Sequence, residues 1–389
     1  MAEPRIALVH DWLTGMRGGE KVLLEYCRMF PSARVYTLLW KPGSVDPVIE
    51  RRVHQTSFLQ RLPWCREAYR YALPLFPAAV QSLEIRDADV VISSSHAVAK
   101  GVRVPPGATH ASYIHTPMRY LWDDTGSYFR FGRGNWWKRQ ALRTVSPYLR
   151  RFDLRTATQV DHFIANSQTV RERIGRFYHA DAKVIPPPVD TEFFRPAETP
   201  GDDGYYLLVS SLEPYKRIDL ALEGFRKLGR PLIVAGSGTL ERELRAKAPG
   251  NVRFVGRVSD AELLRLYQNC RAVVLPGIED FGIVPVEALA CGKPVVCCGC
   301  GGATESITDG ETGVYFWPQQ SDALAAAVER AERMEWDPTL LRRRSLQFSR
   351  QRFHERSRDF FQVHLGLSVD SLASEDSVSR TPAAASASK

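Results

Sequence analysis

The stretch Glu279-Asp280-Phe281-Gly282-Ile283-Val284-Pro285-Val286-Glu287 sets two glutamates eight residues apart, across a loop that turns into a helix. Upstream, the apolar run from Arg271 to Pro276 reads as a buried strand and Gly277 to Gly282 as the loop. Downstream, Pro285-Val286-Glu287-Ala288-Leu289-Ala290-Cys291 reads as a helix with proline in its first turn and Gly292 just past its end. Such a unit opens the helix N-terminus above the strand ends. The free amides around Gly282, Ile283 and Val284, with the helix dipole behind them, make a ready anion site. The flanking carboxylates repel phosphate and suit hydroxyls. Glu279 on the loop is placed to accept hydrogen bonds from a sugar ring, and Glu287, two turns further on, from a ribose.

The same order of apolar strand, loop and amphipathic helix recurs along the chain and predicts α/β layers with parallel sheets. Strands are expected at 5–10, 34–39, 89–93, 110–114 and 161–165, then at 205–210, 231–235, 252–255, 271–275, 294–298 and 313–316. The 389 residues exceed one ordinary core and suit two Rossmann-like domains. Val184-Ile185-Pro186-Pro187-Pro188-Val189-Asp190 is a stiff connector, and a linker over 189–203, with Pro196, Pro200 and Gly201, divides a first domain, 1–188, from a second, 204–350. A last helix is expected over 351–367. The Ser/Ala-rich tail, 368–389, is too poor in apolar area to fold and is expected to be disordered.

At 44% hydrophobic and 25% charged, the composition is that of a globular chain. No apolar run approaches the roughly 20 residues of a membrane span. Pro4-Arg5-Ile6-Ala7-Leu8-Val9-His10 reads as a strand and not as a signal peptide, so a cytoplasmic protein is expected. The net charge of +8 is uneven: residues 1–200 carry 28 Lys+Arg against 19 Asp+Glu, and 201–389 carry 24 against 25. A basic first half attracts anionic lipid, a pyrophosphate-bearing substrate or nucleic acid. No RNA- or DNA-binding motif is present, which disfavours the last. The segment from Phe58 to Phe76 and the group Trp136-Trp137-Lys138-Arg139 mix cations with apolar residues, as a membrane-surface contact does and as helices covering a core also do. Seven cysteines without a secretory signal indicate reduced thiols. Cys297-Cys298-Gly299-Cys300 lacks the second ligand pair of a zinc site and reads as a strand end.

Smaller motifs gather at the strand ends, where doubly wound sheets hold ligands. Gly15-Met16-Arg17-Gly18-Gly19-Glu20-Lys21 follows the first strand, and its glycines let backbone approach a ligand. Ser210-Ser211-Leu212-Glu213-Pro214-Tyr215-Lys216-Arg217 follows a strand in the second half. Gly236-Ser237-Gly238 and Val255-Gly256-Arg257-Val258 follow or close the next two. His96, in Ser93-Ser94-Ser95-His96, and His115, in Tyr113-Ile114-His115-Thr116-Pro117, each come just after a strand and so belong on the cleft side; Asp11 is a weaker candidate there. Asp87-Ala88-Asp89 has the spacing of a metal-diphosphate motif, but it precedes its strand and reads as a turn.

Glu-x-Phe-Gly-Ile-Val-x-Val-Glu-Ala, with its E-x7-E spacing, resembles the motif of retaining GT-B glycosyltransferases of family four, and in particular of bacterial mannosyltransferases that assemble lipid-linked saccharides. The resemblance runs from residue 1 to about 365. It implies the GT-B fold, two Rossmann-like domains with parallel sheets facing a central cleft, the first binding acceptor and the second the nucleotide-sugar, with a closing helix returning to the first domain. It implies that Glu279, with the amides of Phe281, Gly282 and Ile283, grips the donor hexose, and that Glu287 binds ribose. Gly18 and Gly19 would face the diphosphate and acceptor. Lys216 matches a phosphate-binding lysine; the family's arginine is replaced by Ser211, so that Arg217 compensates only if it points inward. Gly256 and Arg257 match a base-contacting loop. His96 would lie over the donor sugar and His115 nearer the acceptor hydroxyl, so His96, His115 and Glu279 are the candidate catalytic residues.

The expected activity is transfer of mannose from GDP-mannose to a lipid-diphosphate-linked oligosaccharide in cell-surface polysaccharide synthesis. Peripheral contact with the inner membrane surface is expected, with no nucleic acid partner, no metal and no other cofactor. The alternatives are the same fold with a UDP-hexose donor and a non-catalytic basic membrane or nucleic-acid binding module.

Overall fold

The computed structural model describes residues 4–63, 65–122, 136–199 and 201–367. The Trp136-Trp137-Lys138-Arg139 side chains and the tail, 368–389, lie outside the described residues.

Strand runs of Val, Ile and Leu without alternation are what a sheet covered on both faces requires, and both sheets are wholly parallel. The first has seven strands in the order β3-β2-β1-β4-β5-β6-β7. They are β1 (Ile6–His10), β2 (Arg34–Thr37), β3 (Val53–Thr56), β4 (Val90–Ser95), β5 (Thr109–Ile114), β6 (His162–Ala165) and β7 (Ala182–Val184). The second has six in the order β10-β9-β8-β11-β12-β13. These are β8 (Tyr206–Val209), β9 (Leu232–Ala235), β10 (Val252–Gly256), β11 (Val273–Leu275), β12 (Val295–Cys298) and β13 (Gly313–Phe316). Each sheet reverses its winding direction once, between β1 and β4 in the first and between β8 and β11 in the second. At such a switch point the connections leave to opposite faces and a crevice opens at the carboxyl ends of the strands.

Two strands go beyond the sequence reading, β3 and β7, and both are edge strands. An edge strand has one sheet neighbour and exposed positions, so β3 (Val-His-Gln-Thr) and the three-residue β7 lack the apolar run that marks a central strand.

Helices α1 (Gly18–Met29), α2 (Trp136–Ala157), α3 (Gln168–Tyr178), α4 (Ile218–Leu228), α5 (Asp260–Asn269), α6 (Ile283–Ala290) and α7 (Arg350–Leu365) bear on the site. The chain crosses between domains twice. Val189, fully buried, pairs its backbone with Phe348, and Arg342 donates to the carbonyls of Thr191, Phe194 and Ala290, so the start of the linker is fixed to the second domain. The chain then returns in α7, whose Phe353, Phe360 and Phe361 pack with Tyr26, Phe30 and Tyr113 of the first domain. Arg350 and His354 of α7 both donate to the buried Glu25 of α1. Together they hold the Glu25 carboxyl below its usual range in spite of burial.

Candidate active site

Among the described residues, side chains at the carboxyl ends of the two sheets meet across the gap between the domains, so the two crevices face one another. Lys21 of α1, Arg119 after β5, and Ser167 after β6 meet Glu287 and Asp280 of the second domain. The backbone N–H groups of Gln168 and Thr169, at the start of α3, donate to Glu305.

On the second-domain side the site is built by the loop from β11 to α6. A Cβ at Gly277 would lie 2.9 Å from Lys216 Cα, so only glycine lets this loop press against the turn after β8. That approach brings Lys216 Nζ to 2.7 Å from Glu279 Oε1 and 2.6 Å from Oε2. The two side chains keep 17% and 16% of their surface exposed, open enough for a ligand to reach. Burial opposes the Lys216 charge, but the Glu279 carboxylate outweighs it and holds the ammonium above its usual range. Gly282, at φ 89°, caps α6 in a backbone conformation that other residues resist, and no side chain caps the helix in its place. The first amides of α6 thus have no side-chain cap among the described residues.

Glu287 is 4% exposed. Its Oε1 accepts from Lys21 Nζ at 2.9 Å across the cleft and its Oε2 from Tyr267 Oη of α5 at 3.0 Å. The carboxylate raises the Lys21 pKa and, with burial as the larger cause, that of Tyr267. A ribose reaching Glu287 would have to displace Lys21.

Opposite, three imidazoles cluster at the ends of β1, β4 and β5. His96 and His115 have ring centroids 6.2 Å apart, and His10 lies 5.9 Å from His96 and 6.4 Å from His115. Ser94 Oγ joins His10 Nδ1, at 3.1 Å, to His115 Nε2, at 2.8 Å. His96 Nδ1 lies 3.2 Å from Asp11 Oδ2 and its ring stands edge-on to Trp12. Burial lowers the pKa of His96, with Asp11 opposing, and drives that of His115 further down, with the neighbouring imidazoles adding to the effect. Both rings are therefore neutral near pH 7 and suited to exchanging hydrogen bonds with hydroxyls. The glycines of the α1 loop close over this cluster. A Cβ on Gly19 would lie 3.3 Å from His10 and 3.4 Å from His115, and one on Gly18 would lie 2.9 Å from Ile283 Cδ1 at the mouth of α6. The N-terminus of α1 thus lies against the start of α6 across the cleft.

Several candidate positions have other duties. The resemblance implies a donor contact from Phe281, but its ring is buried against Phe348, Val189 and Val286, which leaves only its backbone for the cleft. Arg217, which would have to point inward to make up for Ser211, gives its Nε to Asp219 and lies 3.5 Å from Gln319. Asp11 is fully buried and accepts the N–H groups of His96, Ala97, Val98 and Ala99 at 2.7–2.9 Å, so it shapes the turn after β4 and is not open to an acceptor. Gly256, at φ 72°, ends β10 and accepts from Gly236 N–H, while Arg257 beside it is exposed. Asp89 pairs with Arg5 before β4, at the end of the sheet away from the cleft. Cys298 and Cys300 are thiols with sulfurs 3.2 Å apart.

His10, Lys21, Ser94, Arg119, Tyr267, Asp280 and Glu305 join the site without having been singled out in the sequence. His10, Lys21, Ser94 and Asp280 lie inside the quoted stretches, and Arg119 lies four residues past His115.

Comparison with known proteins accounts for both halves. The family described as Glycosyltransferase Family 4 matches residues 16–193, and that described as Glycosyl transferases group 1 matches residues 189–352. Residues 16–193 and 189–352 thus carry glycosyltransferase domains of these two kinds. Among its relatives, O-antigen chain mannosyltransferase C of Escherichia coli is 30% identical over 210 residues, 50% of this chain and 54% of that protein. A D-inositol 3-phosphate glycosyltransferase of Acidothermus cellulolyticus is 30% identical over 202 residues, 44% of this chain and 45% of that protein. The matched stretches therefore span about half the length of these relatives. Among solved structures, an Anabaena protein in complex with UDP and glucose superposes with a TM-score of 0.65 at 18% identity, over 92% of this chain and 100% of the other. Sucrose-phosphate synthase from Thermosynechococcus elongatus gives 0.67 at 16%, over 94% and 100%. At such identities the likeness establishes the two-domain GT-B fold and nothing finer. No helix among its described residues is long and apolar enough to cross a membrane.

Proposed function

We propose that the chain transfers mannose from GDP-mannose, with retention of anomeric configuration, to a lipid-diphosphate-linked oligosaccharide. The observation that carries this reading is the Lys216–Glu279 pair beside the uncapped N-terminus of α6, at the switch point of the second sheet. A cation and helix amides suit a diphosphate, and a carboxylate next to them suits the hydroxyls of the sugar it carries. The mannosyltransferase name of the Escherichia coli relative supports mannose as the transferred group.

In this reading the bond from C1 of the sugar to the β-phosphate oxygen breaks and its electron pair leaves with the diphosphate. Lys216 and the α6 amides stabilise that charge as it develops. The acceptor hydroxyl forms its bond to C1 on the same face, and its proton passes to the departing phosphate oxygen. Glu279 holds sugar hydroxyls and is not the nucleophile. His96 and His115, neutral and opposite the donor, orient donor and acceptor hydroxyls, and Glu287 turns from Lys21 to the ribose. The protein supplies the cations for the leaving group, so the reading asks for no metal or other cofactor. The basic first half, and the exposed Phe58, Tyr71 and Leu75 on the segment that covers its core, support peripheral contact with anionic lipid at the inner membrane face.

The test is turnover of GDP-mannose in chelator with lipid-diphosphate-linked oligosaccharides, followed by mass spectrometry of the lipid product and NMR of its new anomeric centre. Release of GDP with an α-mannosyl product is expected, and Glu279→Ala should abolish it while leaving the ligand-free melting temperature within a few degrees. Turnover of UDP-glucose in place of GDP-mannose would change the donor, and a Glu279→Ala protein as active as wild type would overturn the site.

A further inference from the structure

Arg119 enters the second domain's site from the first. Its Nε and Nη2 both lie 2.8 Å from Asp280 Oδ2, and its guanidinium stands 5.4 Å from the centre of the Tyr215 ring. Asp280 is the neighbour of Glu279 and Tyr215 the neighbour of Lys216. Two cations and two carboxylates, one cation from each domain, thus form a single charged array at the loop before α6. Arg119 and Asp280 keep only 14% and 16% of their side-chain surface exposed, so their charges are poorly screened. Lys216 Nζ stands 5.3 Å from the centre of the same Tyr215 ring, so both cations gather at that ring.

Among the described residues, the two cations of the array are matched by its two carboxylates. A nucleoside diphosphate brings about two to three negative charges, more than one lysine offsets. Arg119 is suited to share them. A guanidinium presents donors in a planar fork that matches two phosphate oxygens, while Asp280 holds one edge of that fork and fixes its direction. Nη1 and Nη2 also approach the Ile278 carbonyl, at 3.5 Å, the outer limit of a hydrogen bond, and an anionic oxygen would displace such contacts.

We infer that Arg119 is the second cation on the departing diphosphate, reaching across the cleft to work with Lys216 and held in place by Asp280. The inference rests on the nucleotide-sugar reading above. Because Arg119 belongs to the first domain and Lys216 to the second, the cation pair is complete only when the domains are closed, and the diphosphate is what rewards closure.

The experiment is calorimetric titration of wild type, Arg119→Met and Arg119→Lys with GDP, UDP and ADP, and with guanosine, uridine and adenosine as controls lacking phosphate. Arg119→Met is expected to weaken whichever nucleoside diphosphate wild type binds by about 10- to 100-fold, and to leave the matching nucleoside within twofold. Arg119→Lys keeps the charge without the fork and should fall between the two. It serves as the test if the methionine variant melts early. Equal diphosphate affinity in wild type and Arg119→Met would overturn the inference and leave the donor reading standing, as would equal loss of nucleoside and diphosphate, which marks a structural arginine. Wild type binding none of the three diphosphates would overturn the donor reading, and the inference with it.

Discussion

Replacing Lys216 with Met separates the two halves of the proposed donor site. The substitution keeps the length of the side chain and removes the charge that sits 2.6–2.7 Å from both oxygens of Glu279. Two unit charges about 4 Å apart at the effective dielectric of a partly exposed site interact by about 4 kcal/mol. Lys216 meets either Glu279 or an incoming phosphate, so the variant loses the second without keeping the first. A hydrogen bond to a charged group contributes about 1.5–3 kcal/mol net. Nucleoside diphosphate affinity should therefore fall about 10- to 100-fold, and Glu279, left as an uncompensated carboxylate, should repel the ligand further. Glu279→Gln should do the opposite, keeping or raising diphosphate affinity while removing turnover, because it faces sugar hydroxyls. In the double variant the repulsion is gone, so its affinity should exceed that of Lys216→Met alone. Isothermal titration of the four proteins closes the cycle. Lys216→Met with affinity and turnover within twofold of wild type would refute the reasoning.

Lys21→Met should strand the buried Glu287 with Tyr267 alone; allowing for the exposure of Lys21, the loss is about 1–2 kcal/mol, and small-angle scattering should record a larger radius as the domains part, whereas an unchanged profile would remove the pair as a clasp. Phe281→Ala should lower the melting temperature through about 3–5 kcal/mol of lost packing against Phe348, and a variant as stable as wild type would mean that the ring is not in that cluster. Acid should destabilise the chain through His96, His110 and His115, whose folded pKa values are all depressed by burial, that of His110 to about 4. The unfolded chain binds more protons below about pH 6.5, so stability should be level above that pH and fall toward pH 4, at up to about 4 kcal/mol per pH unit for three such groups. A melting temperature constant from pH 7 to 5 would contradict it.

The fold could be read from the sequence because its central strands are covered on both faces. Val273-Val274-Leu275 and Val90-Val91-Ile92 are apolar at every position, and a parallel sheet needs such runs. The edge strands β3 and β7, free of that demand, carry no such signature. The turn at Gly282 was legible for a similar reason, since its glycine, the following proline and Gly292 each answer a local backbone requirement. Contacts across the cleft were not. Nothing local to Lys21 or Arg119 records that each meets a carboxylate more than 150 positions away, at Glu287 and Asp280. The role of the Phe281 ring was hidden for the same reason: the motif marks its backbone, and only the fold shows that its ring packs against the linker and the segment before α7.

The central claim, a nucleotide-sugar site at the carboxyl ends of β8 and β11, is tested most directly by the melting temperature of the purified protein in GDP, UDP and ADP, each in chelator. A ligand that binds only the folded chain at 100 times its Kd adds about 2.7 kcal/mol, a shift of several degrees. The account predicts such a shift with GDP, carried over to GDP-mannose and lost in Lys216→Met; no shift with any of the three nucleotides would contradict it.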